Sequence, residues 1–344
     1  MSKIIKIGNT KIGGGNPIAI QSMLNVHNSD ADGNIAQAMA LESAGCEIIR
    51  VAVPNMEAVR LIPAIKSAVK IPLVADIHFD YRLAVESAAA GVDKIRINPG
   101  NIGEENNVKA VVQACRARGI PIRIGVNSGS LEKEILAKYE KVCPEALVES
   151  ARRHIELLEK FDFYDIVVSI KSSDVMTMVK SCELFASIYD YPLHIGVTES
   201  GTYENGIVKS AVGIGALLCE GIGDTVRVSL TDDPLVEIGA AKKILSAAGV
   251  RKFGINVVSC PTCGRTEVDL VAIAREVEKR CSGIEKQITV AVMGCVVNGP
   301  GEAACADIGI AGGKDCAVLF KKGVMVRKLT GDIAGQLMEE IEKM

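Results

Sequence analysis

The sequence contains no tryptophan, and aromatic residues make up only 3% of its 344 positions. Proteins that bind single-stranded nucleic acid stack the bases on aromatic side chains, which are scarce here. The chain also lacks a strong net charge, because its 39 lysines and arginines nearly balance its 42 acidic residues and leave a formal net charge of −3. General nucleic-acid binding needs a strongly basic surface. These two shortages argue against a zinc-ribbon module that contacts nucleic acid, and no nucleic-acid partner is expected.

Long hydrophobic runs are missing as well. No stretch reaches the roughly 18 consecutive apolar residues of a membrane span, so no membrane partner is expected. The first residues, MSKIIKIGNTKIGGG, lack the apolar run and the small-residue cleavage site of a secretory signal. We therefore expect a soluble, cytoplasmic protein. Its eleven cysteines should then stay reduced, which disfavours a disulfide framework and favours metal binding.

The order of strand-like and helix-like segments predicts the fold. From about residue 17 to 249, short β-branched runs alternate with stretches whose apolar positions lie three and four apart. Several of these stretches end at a glycine, such as Gly45, Gly91 and Gly119, as helix C-caps commonly do. The predicted strands are 18–22, 47–53, 72–78, 94–98, 121–127, 165–171, 193–198 and 225–230. Eight strand–helix units predict an α/β fold, a closed (β/α)₈ TIM barrel over residues 1–249.

After Gly249 the pattern changes. A CxxC pair is followed by one helix near 268–279, a strand at 289–293, a glycine-rich loop and a strand-like stretch near 317–327. This order predicts a separate, small α+β domain over residues 250–344.

Charged and polar side chains cluster where the predicted barrel strands end, which is where TIM-barrel enzymes carry their active sites. Residues two apart share a face of a strand, so Arg96 and Asn98 are predicted to point inward together. Inward carboxylates are too few to neutralise the cations, and an anionic ligand is the simplest partner. Arginine matches phosphate bidentately, which favours a phosphate or diphosphate ligand. The predicted substrate-binding residues are Arg50, Asp76, His78, Arg96, Asn98, Arg123, Asn127, Ser169, Lys171, Thr198, Arg227 and Ser229.

Other roles remain open for some of these side chains. Any one of these arginines could equally form a structural ion pair with a loop carboxylate instead of binding a ligand. His78 and His194 each have the alternative of a hydrogen-bonded structural histidine. Asp76 and Glu199 are the carboxylates best placed for proton transfer, although each could instead orient an arginine.

The cysteines of the C-terminal part have the spacing of a metal site. Cys260 and Cys263 form a CxxC pair, and Cys295 follows in a glycine-rich turn. This spacing suits zinc and an iron–sulfur cluster alike. Spacing also leaves the fourth ligand open between Cys305, Cys316 and Glu302. The remaining six are expected to be core or surface thiols: Cys46, Cys115, Cys143, Cys182, Cys219 and Cys281.

Six motifs carry a family resemblance. They are CPTCGRTE at 260–267, GCVVNGPGE at 294–302, VADIHFD at 74–80, IRINPGN at 95–101, RIGVN at 123–127 and GVTESG at 196–201. Together they resemble the two-domain bacterial type of the 4-hydroxy-3-methylbut-2-enyl diphosphate synthase family, from the non-mevalonate isoprenoid pathway. The resemblance implies an iron–sulfur oxidoreductase that opens and dehydrates 2-C-methyl-D-erythritol 2,4-cyclodiphosphate, with flavodoxin or ferredoxin as electron donor.

The same resemblance implies a cofactor and an assembly. The cofactor is a [4Fe–4S] cluster held by Cys260, Cys263, Cys295 and Glu302, and the assembly is a head-to-tail homodimer. Glu302 is expected to give way to substrate oxygen, and Glu199 is the expected proton donor to the departing hydroxyl. The alternative is a redox-silent phosphate-ligand barrel enzyme with a structural zinc domain. The identity of the bound metal would distinguish this alternative from the iron–sulfur oxidoreductase.

Overall fold

The computed structural model describes residues 1–295, 297, 301 and 305–344. The chain forms two compact units, Met1–Arg251 and Lys252–Met344. Among the described residues, no helix combines the length and the apolar character that a membrane crossing requires.

The first unit begins with a hairpin of β1 (Ile5–Ile7) and β2 (Thr10–Ile12). Its eight further strands are β3 (Ala19–Met23), β4 (Ile48–Ala52), β5 (Leu73–Asp76), β6 (Lys94–Ile97), β7 (Ile122–Asn127), β8 (Ile166–Lys171), β9 (His194–Ile195) and β10 (Thr225–Val226). Its helices are α1 (Ala31–Ser43), α2 (Met56–Val59), α3 (Leu61–Ala68), α4 (Tyr81–Ala89), α5 (Glu105–Arg118), α6 (Lys133–Tyr139), α7 (Pro144–Glu159), α8 (Val175–Ile188), α9 (Tyr203–Cys219) and α10 (Pro234–Ala247).

Strands β3 to β10 form a closed parallel barrel. Their order is β8-β7-β6-β5-β4-β3-β10-β9, and a parallel bridge between Val168 and Leu193 joins β8 to β9. The predicted (β/α)₈ barrel is therefore confirmed. The predictions for the last two strands were too long, because β9 and β10 each keep only two residues in the ladder. Just beyond β9, a Cβ at Gly196 would collide with the Arg227 carbonyl oxygen, so the backbones converge there.

The amino-terminal end of the barrel is closed by apolar packing. Ile5, Ile7 and Ile12 of the hairpin form one cluster with four residues from the barrel strands, namely Ala19, Ile48, Val74 and Val167. Side chains on a strand alternate between its two faces. Residues two and four positions after a member of this cluster therefore also point into the barrel, but nearer to the carboxyl end of the strand. Toward the carboxyl ends of these strands the same face carries polar and charged residues, among them Arg50, Asp76 and Ser169.

The described residues of the second unit form a five-stranded sheet and two helices. Its elements are β11 (Asn256–Ser259), α11 (Leu270–Cys281), β12 (Thr289–Met293), β13 (Ile308–Gly313), β14 (Cys316–Lys321), β15 (Val324–Leu329) and α12 (Ile333–Glu342). Strands β11, β12 and β13 are parallel, and β14 and β15 continue the sheet antiparallel. Helix α12 was missed in the sequence, although its buried Ile333, Leu337 and Ile341 recur every four residues and Asp332 caps its first turn.

Candidate functional site

Asp76 lies between two arginines at the carboxyl end of the barrel. It is the last residue of β5 and is fully buried. Its Oδ2 accepts a hydrogen bond from Arg50 Nη2 at 2.6 Å, and its Oδ1 accepts one from Arg96 Nη1 at 3.1 Å. Burial alone would raise the pKa of Asp76, but Arg50 and Arg96 outweigh it and hold the pKa below its usual value. One carboxylate thus faces two guanidinium groups, which leaves a net positive charge.

Arg123 adds a further cation beside this group. It pairs with Arg96 in the register of β6 and β7 and is only 1% exposed. Its Nε and Nη1 are buried and have no hydrogen-bond partner in the described part of the chain. Burial, and then the charges of Arg50 and Arg96, push the pKa of Arg123 downward. The charged form of Arg123 therefore lacks the compensation that a bound anion would supply.

Lys171 and Arg227 complete the set of cations but differ in their partners. Lys171, the last residue of β8, has no hydrogen bond or ion pair within residues 1–295, 297, 301 and 305–344. Arg227 instead binds the buried Glu237 of α10 with two contacts of 3.3 Å. Glu237 also accepts hydrogen bonds from Ser22 Oγ at 2.8 Å and Leu230 N at 3.1 Å. Arg227 therefore forms a structural ion pair, but its partner is a helix carboxylate and not the loop carboxylate considered from the sequence.

The other predicted residues surround the cations or lie at the rim. With its amide oxygen turned toward Arg96, Asn127 accepts from Nη2 at 3.2 Å. Asn98 Oδ1 caps the turn after β6 by accepting from Gly100 N at 3.1 Å, and Ser169 Oγ donates to the Ile124 carbonyl. Four predicted residues lie at the rim: Thr198 and Ser229 are half-buried, whereas His78 and Glu199 are exposed.

Two side chains that the sequence analysis did not name, Lys94 and Glu237, and one whose role it left open, His194, lie deeper in the barrel or behind it. Lys94 is fully buried, and its Nζ has no hydrogen-bond partner within the described residues. It precedes Arg96 by two positions, so the strand period used for Arg96 and Asn98 also predicts it to point inward. His194, for which a hydrogen-bonded structural role was the alternative, is fully buried with Nδ1 2.8 Å from Thr225 Oγ1. Glu237 gave no sequence signal, because it lies on a helix outside the barrel.

Gly125 makes room for the Arg96 guanidinium, and its replacement is a direct test of the arrangement. A Cβ at Gly125 would collide with Arg96 Nε, so Gly125→Ala should push Arg96 away from Asp76. We expect the KM for the anionic substrate to rise about tenfold, with a smaller change in kcat. Gly215→Ala on α9, where a Cβ meets nothing within 4 Å, is the matched control. An unchanged KM in the Gly125→Ala protein would show that the position of Arg96 does not matter for binding.

In the second unit, two cysteine segments meet at one edge of the sheet. Cys260 directly follows β11 and Cys295 follows β12, and these strands are parallel neighbours with Ser259 opposite Val292. Gly294 N donates to Cys260 Sγ at 3.3 Å, and Glu267 N donates to the Gly294 carbonyl at 3.1 Å. The CxxC loop and the segment of Cys295 are therefore bound to each other.

The thiol of Cys263 is exposed. Hydrogen bonds from the backbone and side chain of Arg265 lower the pKa of Cys263, which suits a thiolate ligand. Among the described residues, no three His, Cys, Asp or Glu side chains form a group that could hold a metal ion. Glu302 lies outside these residues. Of the alternative fourth ligands, Cys305 is exposed and Cys316 is buried at the start of β14.

The remaining cysteines fit the expected core and surface positions. Cys46, Cys115, Cys182 and Cys281 are buried, Cys143 is half-buried and Cys219 is exposed. Burial raises the pKa of Cys115 and of Cys182 to about 12, so these two thiols stay protonated. They have the properties of core thiols rather than of metal ligands.

Fold and site together define a TIM-barrel protein with a cationic mouth, followed by a cysteine-bearing α+β domain. Two family models match these parts of the chain: the GcpE TIM-barrel domain matches residues 2–242, and the GcpE protein C-terminal domain matches residues 256–343. The chain therefore belongs to the GcpE family.

Curated relatives match over the full length. The 4-hydroxy-3-methylbut-2-en-1-yl diphosphate synthase (flavodoxin) of Caldanaerobacter subterraneus subsp. tengcongensis is 57% identical, and the match covers 100% of this chain and 97% of the relative. The enzyme of the same name from Fusobacterium nucleatum is 54% identical, with 100% and 96% covered. The family resemblance noted in the sequence is confirmed by these relatives.

Solved structures support the barrel fold. Dihydropteroate synthase from Stenotrophomonas maltophilia superposes with a TM-score of 0.54 at 14% identity, over 73% of this chain and 100% of that one. The Yersinia pestis dihydropteroate synthase gives a TM-score of 0.53 at 13% identity, over 72% and 100%. At such low identity the likeness concerns the fold alone.

Proposed function

We propose that this chain catalyses the reductive ring opening and dehydration of 2-C-methyl-D-erythritol 2,4-cyclodiphosphate to 4-hydroxy-3-methylbut-2-en-1-yl diphosphate. The observation that carries the proposal is the excess of positive charge at the barrel mouth. Five cations, Arg50, Arg96, Arg123, Lys171 and Arg227, face two carboxylates among the described residues, Asp76 and Glu237. A cyclic diphosphate offers the opposite charge and many acceptor oxygens. Full-length relatives bear the name of the enzyme that makes this product.

In this proposal each cation contributes to substrate binding in a different way. Arg50 and Arg96, which Asp76 holds in fixed orientations, present their remaining donors to phosphoryl oxygens. Arg123 supplies the unpaired donors Nε and Nη1 from deeper in the barrel. Lys171 neutralises charge from the β8 side, while Arg227 stays bound to Glu237 and contributes mainly through its charge. The substrate is thereby fixed by groups that need no rearrangement, which lowers the cost of reaching the reactive geometry.

Smaller polar side chains would orient the rest of the substrate. Asn98 directly follows β6, Asn127 is the last residue of β7, and Ser169 lies on β8. Hydroxyl and amide groups at these positions suit the hydroxyl groups and the bridging oxygens of a sugar-derived diphosphate. Thr198, Ser229 and His78 would contact the substrate from the rim.

We also propose that the second unit holds a [4Fe–4S] cluster through Cys260, Cys263, Cys295 and Glu302. The donor set fits, because two cysteine segments are hydrogen-bonded to each other at one sheet edge and the pKa of Cys263 is lowered, which eases loss of its proton to a metal. When bound, the cluster supplies the two electrons of the reaction one at a time. The role of Glu302 as fourth ligand rests on the family resemblance alone. Flavodoxin, named in the relatives, is the proposed electron donor, with ferredoxin as the alternative of the same class.

Glu199 is proposed to give a proton to the departing hydroxyl group. It follows Thr198 beyond β9, and its φ of +52° holds it in the left-handed region, which bulky residues seldom adopt. Glu199→Gln keeps the shape but removes the acidic proton, so kcat should fall about 100-fold while KM changes little. Glu204→Gln, an exposed change in the first turn of α9, is the matched control for steady-state kinetics. Full turnover in the Glu199→Gln protein would remove the role.

A head-to-tail homodimer is the proposed assembly, with each active site built from the barrel of one chain and the cysteine domain of the other. Arg123→Met would disable the barrel contribution and Cys295→Ser the cysteine contribution. Co-expression and purification through two different tags selects the mixed dimers, in which one of the two sites is intact, so activity should recover to about half that of the wild type. Mixed dimers that form but remain inactive would contradict a shared site.

The reaction itself is tested by anaerobic turnover. Iron-loaded protein is supplied with the cyclic diphosphate and reduced flavodoxin, and the product is identified by mass spectrometry. We expect the mass of the linear diphosphate to appear only when all three components are present. Absence of this product with iron-loaded protein and reduced donor would reject the proposed reaction.

A further inference from the structure

Glu237 is a buried carboxylate that accepts four hydrogen bonds. It lies in the first turn of α10 and is 2% exposed. Its Oε2 accepts from Ser22 Oγ at 2.8 Å and from Arg227 Nε at 3.3 Å. Its Oε1 accepts from Leu230 N at 3.1 Å and from Arg227 Nη2 at 3.3 Å. These contacts hold one negative charge in a fixed place directly beside a cation of the barrel mouth.

The charge of Glu237 acts on the mouth through two neighbours. Arg227 directs Nε and Nη2 to Glu237 and Nη1 to Met23 Sδ at 3.4 Å, so it offers a ligand its charge more than its donors. Burial and the neighbouring arginines lower the pKa of Lys171, and Glu237 acts in the opposite direction. Glu237 therefore offsets part of the positive charge that an anionic ligand meets.

The charge of the ligand changes during the proposed reaction. Each phosphate of the cyclic substrate is bonded to one carbon-bound oxygen and to the oxygen that joins the two phosphates, so it keeps one ionised oxygen. Ring opening frees the terminal phosphate from carbon, and the product becomes more negative than the substrate by about one charge. A mouth with excess positive charge attracts the more negative ligand more strongly. On charge alone, the mouth would favour the product over the substrate.

We propose that Glu237 is a specificity-determining residue whose charge limits how tightly the mouth holds the product. The inference rests on the proposed function, because it uses the charges of that substrate and that product. A negative charge beside Arg227 weakens the attraction for every anion, and the effect is largest for the ligand that carries the most charge. Glu237 acts through Arg227 and through the electric field of the mouth, and not by contact with the ligand.

Glu237→Gln should make both ligands bind more tightly, and the product most. The amide has nearly the size of the carboxylate, and its oxygen can still accept from Leu230 N, so the main change is in charge. We expect KM to fall about fivefold and the inhibition constant of the linear diphosphate to fall about tenfold. A merely structural defect would raise KM. Glu220→Gln, the same change of charge at the exposed C-cap of α9, is the matched control and should leave both constants unchanged.

The closing experiment measures anion binding by titration calorimetry and needs no electrons and no turnover. The probes are inorganic diphosphate and orthophosphate, which carries about half the charge. Glu237→Gln should bind diphosphate about tenfold and orthophosphate about threefold more tightly than the unmutated protein does. The double variant Arg227→Met with Glu237→Gln serves if the single variant does not fold, because it removes both members of the buried pair. It keeps the net charge of the mouth, so its affinity for diphosphate should stay within about threefold of that of the unmutated protein.

The opposite results overturn the inference. They are unchanged or weaker diphosphate binding by a folded Glu237→Gln protein, or equal gains for the two probes. A double variant that binds diphosphate at least about tenfold more weakly would also overturn it, because Arg227 would then act without an offset from Glu237. Failure of the proposed function has a different signature, since the unmutated protein would then bind neither probe at its mouth.

Discussion

Arg123→Met should make the free protein more stable and nearly inactive at the same time. Arg123 is 1% exposed, and two of its donor atoms have no partner among the described residues, so its burial is uncompensated before an anion binds. An apolar side chain of similar length removes this cost, and replacing buried charge in this way often stabilises by about 1–4 kcal/mol. The same change deletes charged hydrogen bonds to substrate, which should lower kcat/KM by about a thousandfold. Thermal unfolding without ligand and steady-state kinetics measure the two effects.

Arg227→Met is the matched control with the opposite expected sign in stability. Removing Arg227 leaves Glu237 buried without its cation, and breaking one side of a buried pair costs about 3–5 kcal/mol. The unfolding temperature should therefore fall. If Arg123→Met destabilises the protein as strongly as Arg227→Met does, Arg123 is a structural residue and the excess of charge at the mouth is not there for a ligand.

Cys295→Ser should remove the iron and the activity while leaving the second unit folded. Cys295 lies beyond the end of β12, outside the cluster of buried residues that α11 and α12 form with the sheet. The hydroxyl of serine is a much poorer iron ligand than a thiolate. We expect loss of bound iron and sulfide, a fall in turnover of at least about a thousandfold, and little change in circular dichroism.

Two further serine substitutions interpret that result. Cys219→Ser, at an exposed position at the end of α9, should change neither iron content nor turnover. Cys305→Ser distinguishes the possible fourth ligands, since retained iron agrees with Glu302, whereas loss equal to that of Cys295→Ser makes Cys305 the ligand. Full iron content in the Cys295→Ser protein would exclude Cys295 from the cluster.

The barrel was predictable because each of its units is local. A β-branched run, a turn and an amphipathic helix can be recognised within about thirty residues, and eight such units close into a barrel. The strands of the second unit were harder to predict from the sequence. Its strand β13 reads Ile-Gly-Ile-Ala-Gly-Gly, a composition more typical of a loop. The structure explains these glycines, because a Cβ at Gly309 would lie 2.9 Å from the Ala291 carbonyl oxygen and one at Gly312 would lie 2.8 Å from that of Gly294.

The sequence predicted which side chains form the candidate site, but not which cation pairs with which carboxylate. Strand period alone indicates that Arg96, Arg123 and Lys171 point inward, and the same rule applies to Lys94. Which cation meets which carboxylate depends on packing between distant elements. Glu237 reaches Arg227 from a helix, and Asp76 joins arginines from the strands on either side of it. Such contacts leave no periodic signal in the sequence.

The central claim, a barrel that binds a diphosphate joined to a domain that delivers electrons, is tested most directly by metal analysis. The protein is purified without oxygen, its iron, sulfide and zinc are quantified, and its absorption spectrum is recorded before and after dithionite. We predict about four irons and four sulfides per chain and a broad visible band that dithionite bleaches. One zinc, no sulfide and no visible band, even after cluster reconstitution, would contradict the redox function and favour a phosphate-binding barrel with a structural zinc domain.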